Sequence, residues 1–291
     1  MEETHRFKKI LLATDGTPEA EAAVDAAISL ARFGPANVCV LHVWNLELRE
    51  HGGHWQIEPY SEADALVQRT VDRLTDARVI AGKEIYRADH AHVAEAIAAV
   101  AKDSRADLVV VGSRGLSDWQ SIFKHSVSHQ ILKLVDCPVL VVRGDRGHSG
   151  FGKPRRIMVA VAGGDDVKLA TDAAIAVAQT VSAQALVVHV AQALIGVQGF
   201  AYVESREEIE QCVESAVRRL TDAQIPTERM VIERGPVADE LIAAAAAWNA
   251  DLIVIGSSRM GDVASLIVGS VSHQVLHGAD LPVLIAGRTR D

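Results

Sequence analysis

The chain has no apolar run approaching the roughly 18 residues that a membrane span requires, so no spanning helix is expected. It has no surplus of positive charge. With 29 Lys and Arg against 38 Asp and Glu, the net charge is −9 and the pI is near 5.7. That balance excludes broad binding to nucleic acid or to an anionic membrane, both of which need a positive field. It has only three cysteines, Cys39, Cys137 and Cys212, and they form no spaced set. An odd, scattered count fits a reducing cytoplasm and excludes a disulfide framework. Cys39 and Cys137 lie in apolar, strand-like contexts and read as buried thiols. There is no Gly-x-Ser-x-Gly, no His-Glu-x-x-His and no Walker lysine, so the motif-bearing hydrolase, zinc-protease and P-loop classes have no support. The opening residues Met1 to Lys9 lead straight into a strand with no secretory pattern, and a cytoplasmic protein is expected.

What is present is a repeat. One copy reads Asp107-Leu-Val-Val-Val-Gly112-Ser-Arg-Gly115, nine further residues, then His125-Ser126-Val127-Ser-His129-Gln, and soon Cys137-Pro138-Val-Leu-Val-Val. The other reads Asp251-Leu-Ile-Val-Ile255-Gly256-Ser-Ser-Arg259, nine residues, then Gly269-Ser270-Val271-Ser-His273-Gln, and soon Leu281-Pro282-Val-Leu-Ile-Ala. The offset is a constant 144 residues. Each copy is an apolar run, a Gly-rich loop, a helix start and a second apolar run. A strand that feeds such a loop and then a helix N-terminus is a ready place for phosphate, because backbone N–H groups and the helix dipole converge there. At 291 residues the chain accommodates two domains of ordinary size. The boundaries predicted are 1–146 and 155–291, joined by the Gly- and charge-rich segment Gly144 to Pro154.

Along the first half, Lys9-Ile-Leu-Leu-Ala-Thr-Asp15 is apolar on both faces and closes on a carboxylate, the mark of a buried parallel strand. Thr17-Pro18-Glu19 signals a helix start, with Gly34 as its C-cap. Val38–Val43 is a second strand. Trp44 to Tyr60 loses periodicity and reads as a loop. Helix Ser61–Ala77, strand Glu84–Arg87, helix His90–Asp103, strand Leu108–Val111, helix Ser126–Val135 and strand Pro138–Val142 follow. The second half restarts at Arg156 with the same order, and Ser205-Arg-Glu-Glu208 is a capping box. Alternating short apolar strands and helices predict α/β architecture: two tandem doubly wound, mostly parallel five-stranded sheets with helices on both faces. Ligands in such sheets sit beyond the strand C-termini at a switch point, and Asp15 and Gly112 both fall at strand C-terminal ends.

The whole pattern, in both halves, resembles the universal stress protein family in its tandem form, with a Rossmann-like, adenine nucleotide alpha-hydrolase-like fold. That family's nucleotide signature is Gly, two residues, Gly, nine residues, Gly, then Ser or Thr, with an Asp ending the first strand. The resemblance implies a stress-response regulator that binds ATP, with or without Mg, and has little or no catalysis. Carried over, Asp15 holds the ribose, and Ala13, Thr14 and Val43 lie near the adenine. Gly112 and Gly115, with no Cβ, admit the phosphates, and Ser126 with the N–H of Val127 binds phosphate. Val111 belongs to the same set, as do Val190, Ile255, Gly256, Arg259, Gly269, Ser270 and Val271 in the second half.

Each copy departs from the signature. In the first, His125 replaces the third Gly, and its ring either fills the phosphate volume or, protonated, contacts phosphate. In the second, Arg259 replaces the second Gly and Ala162 replaces the Asp. Arg259 either pairs with phosphate or plugs the site. Two alternatives therefore stand beside nucleotide binding: a nucleotide-free scaffold whose glycines serve only the turns, and a slow ATPase. His51 and His54 in the loop, the repeated His129 and His273, and Ala162–Val167 read as loop, helix-surface and turn residues respectively. Trp119 and Phe123 in the first Gly loop form either a lid or a packing contact. The apolar last strands would be sheet edges, which invite pairing. In the family such strands pair across a dimer axis, so an intramolecular pseudo-dimer of the two halves, or a homodimer, is expected.

Overall fold

The computed structural model describes residues 6–45, 59–88, 92–113, 127–144, 151–164, 166–191, 193–196, 199–202, 204–256 and 270–287. The chain divides into two compact units, one of Phe7–Gly152 and the other of Lys153–Asp291 with Arg6 joined to it.

The first unit runs β1 (Lys9–Ala13), α1 (Pro18–Arg32), β2 (Asn37–Asn45), α2 (Tyr60–Asp76), β3 (Ala81–Ala88), α3 (Val93–Ser104), β4 (Leu108–Ser113), α4 (Val127–Leu134) and β5 (Val139–Arg143). Its strands lie in the order β5-β4-β1-β2-β3, all parallel. The central strands are buried on both faces, with Ile10, Leu11, Leu12, Leu108 and Val109 essentially inaccessible. This is why they read as unbroken apolar runs without alternation. Helices α1 and α2 cover one face and α3 and α4 the other, as right-handed crossovers on a reversing strand order require.

The second unit repeats the plan with β6 (Arg156–Ala160), α5 (Asp166–Val181), β7 (Gln184–Val190), β8 (Ala193–Gly196), β9 (Gly199–Tyr202), α6 (Arg206–Asp222), β10 (Thr227–Ile232), α7 (Val237–Ala247), β11 (Leu252–Gly256), α8 (Ser270–Gly278) and β12 (Val283–Ala286). Its parallel order is β10-β7-β6-β11-β12. The duplication extends to polar contacts that the motif comparison did not reach. Asp107 accepts the backbone N–H groups of Lys8 and Lys9 at 2.8 and 2.9 Å, and Asp251 accepts those of Arg155 and Arg156 at 2.7 and 2.9 Å. Arg73 of α2 pairs with Asp25 of α1, and Arg219 of α6 pairs with Asp172 of α5. Each such pair ties two neighbouring helices on one face of its sheet.

Thr17 caps α1, its hydroxyl accepting from Ala20 N, with Pro18 in the first turn. Ser205 and Glu208 form the reciprocal capping box on α6. Several boundaries differ from the sequence reading. Helix α1 is capped at Phe33, not Gly34, because Gly34 precedes Pro35, which disfavours helical backbone before it. Trp44 and Tyr60 belong to β2 and α2, where their rings meet edge to face at 5.6 Å. The antiparallel hairpin β8–β9 was not anticipated. Cys39 is half-buried, not buried like Cys137. His51, His54, Trp119 and Phe123 lie outside the described residues.

Candidate functional site

Strand β1 is the centre of the first sheet, with β2 on one side and β4 on the other. The direction of strand succession reverses there, which opens a crevice beyond the C-termini of β1 and β4. The register pairs Ala13 with Leu41 of β2 and with Val111 of β4. Thr14, Asp15, Val43 and Gly112 therefore follow at the same edge. Val43 and Val111 are buried, Asp15 is exposed, and Gly112 is half-buried. Val127, at the start of α4, is 37% exposed. Gly115, His125 and Ser126 lie outside the described residues.

The backbone that carries Asp15 is held on both sides. Thr14 N donates to Leu41 O at 2.9 Å. Thr14 O lies 2.9 Å from Nδ1 of His42. A carbonyl only accepts, so Nδ1 carries the proton and donates it, which fixes the tautomer. His42 is buried in β2, 6% exposed. Beyond Thr14 the chain turns sharply. Asp15 Oδ1 accepts from the N–H and hydroxyl of Thr17 at 3.1 and 2.6 Å, and the same hydroxyl caps α1 by accepting from Ala20 N. Gly16 sits at φ +74°, and a Cβ built there would lie 2.3 Å from Leu66 Cδ1 on α2. A side chain there would strain the backbone and would require Leu66 to shift. The result is a carboxylate oriented by its own turn at the mouth of the crevice. It is suited to accept hydrogen bonds from vicinal hydroxyls.

The second sheet builds the same edge from different chemistry. His189 repeats His42: its Nδ1 donates to Val161 O at 2.9 Å, and the ring is 2% exposed. Here Nε2 also meets Glu204 Oε2 at 3.1 Å. Ala162 follows where the first unit has Asp15, and its carbonyl faces the Cys212 thiol at 3.9 Å. Gly256 ends β11 against the start of α5, and a Cβ there would lie 2.7 Å from the Asp166 carbonyl oxygen. This glycine therefore has a packing reason to be a glycine. Val190 and Ile255 are buried at the same edge, Ser270 opens α8 exposed and Val271 is half-buried. Arg259 and Gly269 lie outside the described residues.

The sequence reading missed His42, His189, Glu204 and Gly16. The signal for the two histidines was there: both second strands carry His-Val, at matching places in the repeat. His129 is half-buried on α4, and His273 and His277 on α8 approach with their Nε2 atoms 3.0 Å apart. Among the described residues no group of three His, Cys, Asp or Glu assembles that could hold a metal, and no helix is long and apolar enough to cross a membrane.

The thiols are held protonated. Burial pushes Cys137 up to about 12. Burial, then the Glu204 charge, pushes Cys212 to about 11, and burial followed by Glu84 raises Cys39. The thiolate is the reactive form. Titration with a chromogenic disulfide at about pH 7.5 should find no thiol reacting within minutes in the folded protein, and all three once denatured.

The universal stress protein family model matches residues 6–143 and again 153–287. The chain belongs to the universal stress protein family, with two copies of its domain in tandem. Universal stress protein Rv2005c of Mycobacterium tuberculosis (strain H37Rv) is 26% identical over 290 residues, covering 95% of this chain and 96% of the relative. A universal stress protein of Thermus aquaticus is 35% identical over 143 residues, 47% of this chain and 99% of its own length. Among solved structures, a universal stress protein from Archaeoglobus fulgidus superposes with a TM-score of 0.75 at 20% identity, covering 99% of this chain and all of that one. The protein PA1789 of Pseudomonas aeruginosa gives 0.63 at 19%, covering 98% and 94%. At these identities the structural likeness speaks for the fold.

Proposed function

We propose that the first unit binds an adenine nucleotide, ATP by the family resemblance, and that the protein acts as a nucleotide-responsive regulator. The observation that carries this reading is the Asp15 carboxylate at the switch point, oriented by Thr17, with His42 holding the preceding carbonyl and Gly112 on the neighbouring strand. Ala13, Thr14, Val43 and Val111 supply the apolar and backbone surface for the base. Asp15 takes the ribose hydroxyls. Gly112, with Gly115, Ser126 and the Val127 N–H, takes the phosphates, and magnesium is expected only as the nucleotide's own counter-ion.

In this reading the second unit does not hold nucleotide in the same way. Ala162 offers no side-chain acceptor to a ribose, and the Gly256 position is taken up by its fit against α5. Gly256, Arg259, Gly269, Ser270 and Val271 then serve the turn and helix start that complete this domain. Calorimetric titration of the full chain with ATP, beside Asp15→Ala, tests the proposal, and sustained phosphate release from repurified protein would instead favour an ATPase.

His42 acts through Thr14 and is a positioning residue. His42→Ala should weaken ATP binding by about 1 kcal/mol, roughly fivefold, one neutral hydrogen bond's worth. A role in stability alone would lower the melting temperature and leave the affinity of the folded fraction unchanged.

A further inference from the structure

Helix α8 carries a pair of histidines where α4, its counterpart in the first repeat, carries one histidine and a lysine. His273 and His277 stand 144 residues after His129 and Lys133. Residues four apart are neighbours on one helix face, and here the two rings meet. Their Nε2 atoms are 3.0 Å apart, and the ring centroids lie 4.2 Å apart at an interplanar angle of 65°. Both side chains are half-buried, beside the buried row of Ser272, Val275 and Ala279.

Three features of the pair point to a metal ion. The first is spacing. Two nitrogens each about 2.0–2.1 Å from one ion are about 2.9 Å apart at a right angle and about 3.4 Å apart at the tetrahedral angle. The observed 3.0 Å falls in that window, near its right-angled end. The second is the quality of the present contact. A head-on N–H···N bond runs along the axes of both rings and would spread the centroids beyond the 4.2 Å observed. At least one ring is therefore turned off the line between the nitrogens, and an ion between them replaces one bent hydrogen bond with two ligand bonds. The third is the backbone. His273-Gln-Val-Leu-His277 has the spacing at which a helix presents two histidines to zinc in the His-Glu-x-x-His motif. Gln stands in place of that motif's Glu, so the ligands are kept and the general base is not. This is a binding arrangement without hydrolytic chemistry.

We propose that His273 and His277 chelate a divalent late transition-metal ion of the nickel and copper(II) class, with water in the remaining positions. Imidazole suits these ions, and a near right-angled pair of nitrogens suits their tetragonal geometry, whereas magnesium and calcium take oxygen ligands. Each ring gives its Nε2 lone pair and keeps its proton on Nδ1. The first repeat lacks the site, since the Lys133 ammonium has no lone pair to give. The site is independent of the reading proposed for nucleotide. The opposing account is electrostatic: His277 lies in the last turn of α8, where a cation offsets the partial negative charge of the helix C-terminus.

The test uses the full chain without a histidine tag, stripped with chelator, and titrates it calorimetrically with Ni²⁺. His277→Lys is the informative variant. It reproduces the pair of the first repeat and keeps a cation at the helix end, so the electrostatic account predicts no loss of stability. The expected result is a saturable site that His277→Lys weakens by at least about tenfold, since a second tethered ligand acts at high effective concentration. His273→Gln should do the same, Asp15→Ala should leave the site unchanged, and Mg²⁺ should not fill it. Ni²⁺ should also raise the melting temperature of the parent chain and not that of His277→Lys. The chain has 12 histidines, so the variants, and not the isotherm alone, assign the site. The proposal is overturned by absence of saturable binding below about 0.1 mM Ni²⁺. It is equally overturned by binding that both variants leave intact, which would place the ion elsewhere.

Discussion

Asp15→Ala should weaken ATP binding by about 10- to 100-fold, since a hydrogen bond to a charged group is worth about 1.5–3 kcal/mol and the ribose hydroxyls lose their carboxylate. The melting temperature should change little. Asp15 is exposed, and the cap of α1 depends on Thr17, whose own hydroxyl reaches Ala20 N. This split between affinity and stability is what distinguishes a ligand contact from a turn-forming residue. If Asp15 served only its turn with Thr17, the same substitution would loosen the start of α1 and leave affinity intact. Asp15→Asn sharpens the comparison. The amide can still accept from Thr17 N, yet it brings a neutral acceptor to the ribose, so part of the affinity should be lost while the turn survives.

The second large effect is on stability. Gly16→Ala should destabilise the first unit by about 2–4 kcal/mol, combining the cost of a left-handed backbone for a residue with a Cβ and overpacking against Leu66. The two parts separate experimentally. Leu66→Ala opens the space that the new Cβ needs but leaves φ at +74°. The double variant should therefore be less destabilised than the sum of the singles, while retaining the conformational part. Residues in contact are where such non-additivity is expected. Exact additivity in thermal or denaturant unfolding would mean that Leu66 does not press on Gly16. Because Gly16 directly follows Asp15, the Gly16→Ala protein should also bind ATP more weakly than its folded fraction accounts for.

Much of this was legible in the sequence because it is local. Unbroken apolar runs at Lys9–Ala13 and Leu108–Val111 report strands buried on both faces. Thr17-Pro18 and Ser205–Glu208 report helix starts through chemistry contained within four residues. The order of elements then places Asp15 and Gly112 at one edge without any knowledge of side-chain contacts. What was not legible is non-local. His42 reaches Thr14 O only because β2 lies beside β1 in one particular register. Gly16 is forced by Leu66, fifty residues away on α2, and Gly256 by the first residue of α5. The hairpin β8–β9 consists of two four-residue strands, too short for a period to emerge. Gly34 misled because a helix can stop one residue before the glycine when a proline follows.

The second unit shows how one fold keeps its frame while its edge chemistry changes. The Asp clamp on the first strand, the helix-to-helix Arg–Asp pair and the buried His hook recur in both units. The carboxylate at the strand end does not. The frame contacts serve folding in either unit, whereas the carboxylate, besides ordering its turn with Thr17, is the part that the proposed function assigns to a ligand.

The central claim is tested most directly by the number of ATP molecules bound per chain at saturation, measured by calorimetry or equilibrium dialysis on the full protein and on Asp15→Ala. The account predicts one per chain, with that site lost or weakened about 10- to 100-fold in the variant. Two equivalent sites, or one site indifferent to Asp15→Ala, would contradict it.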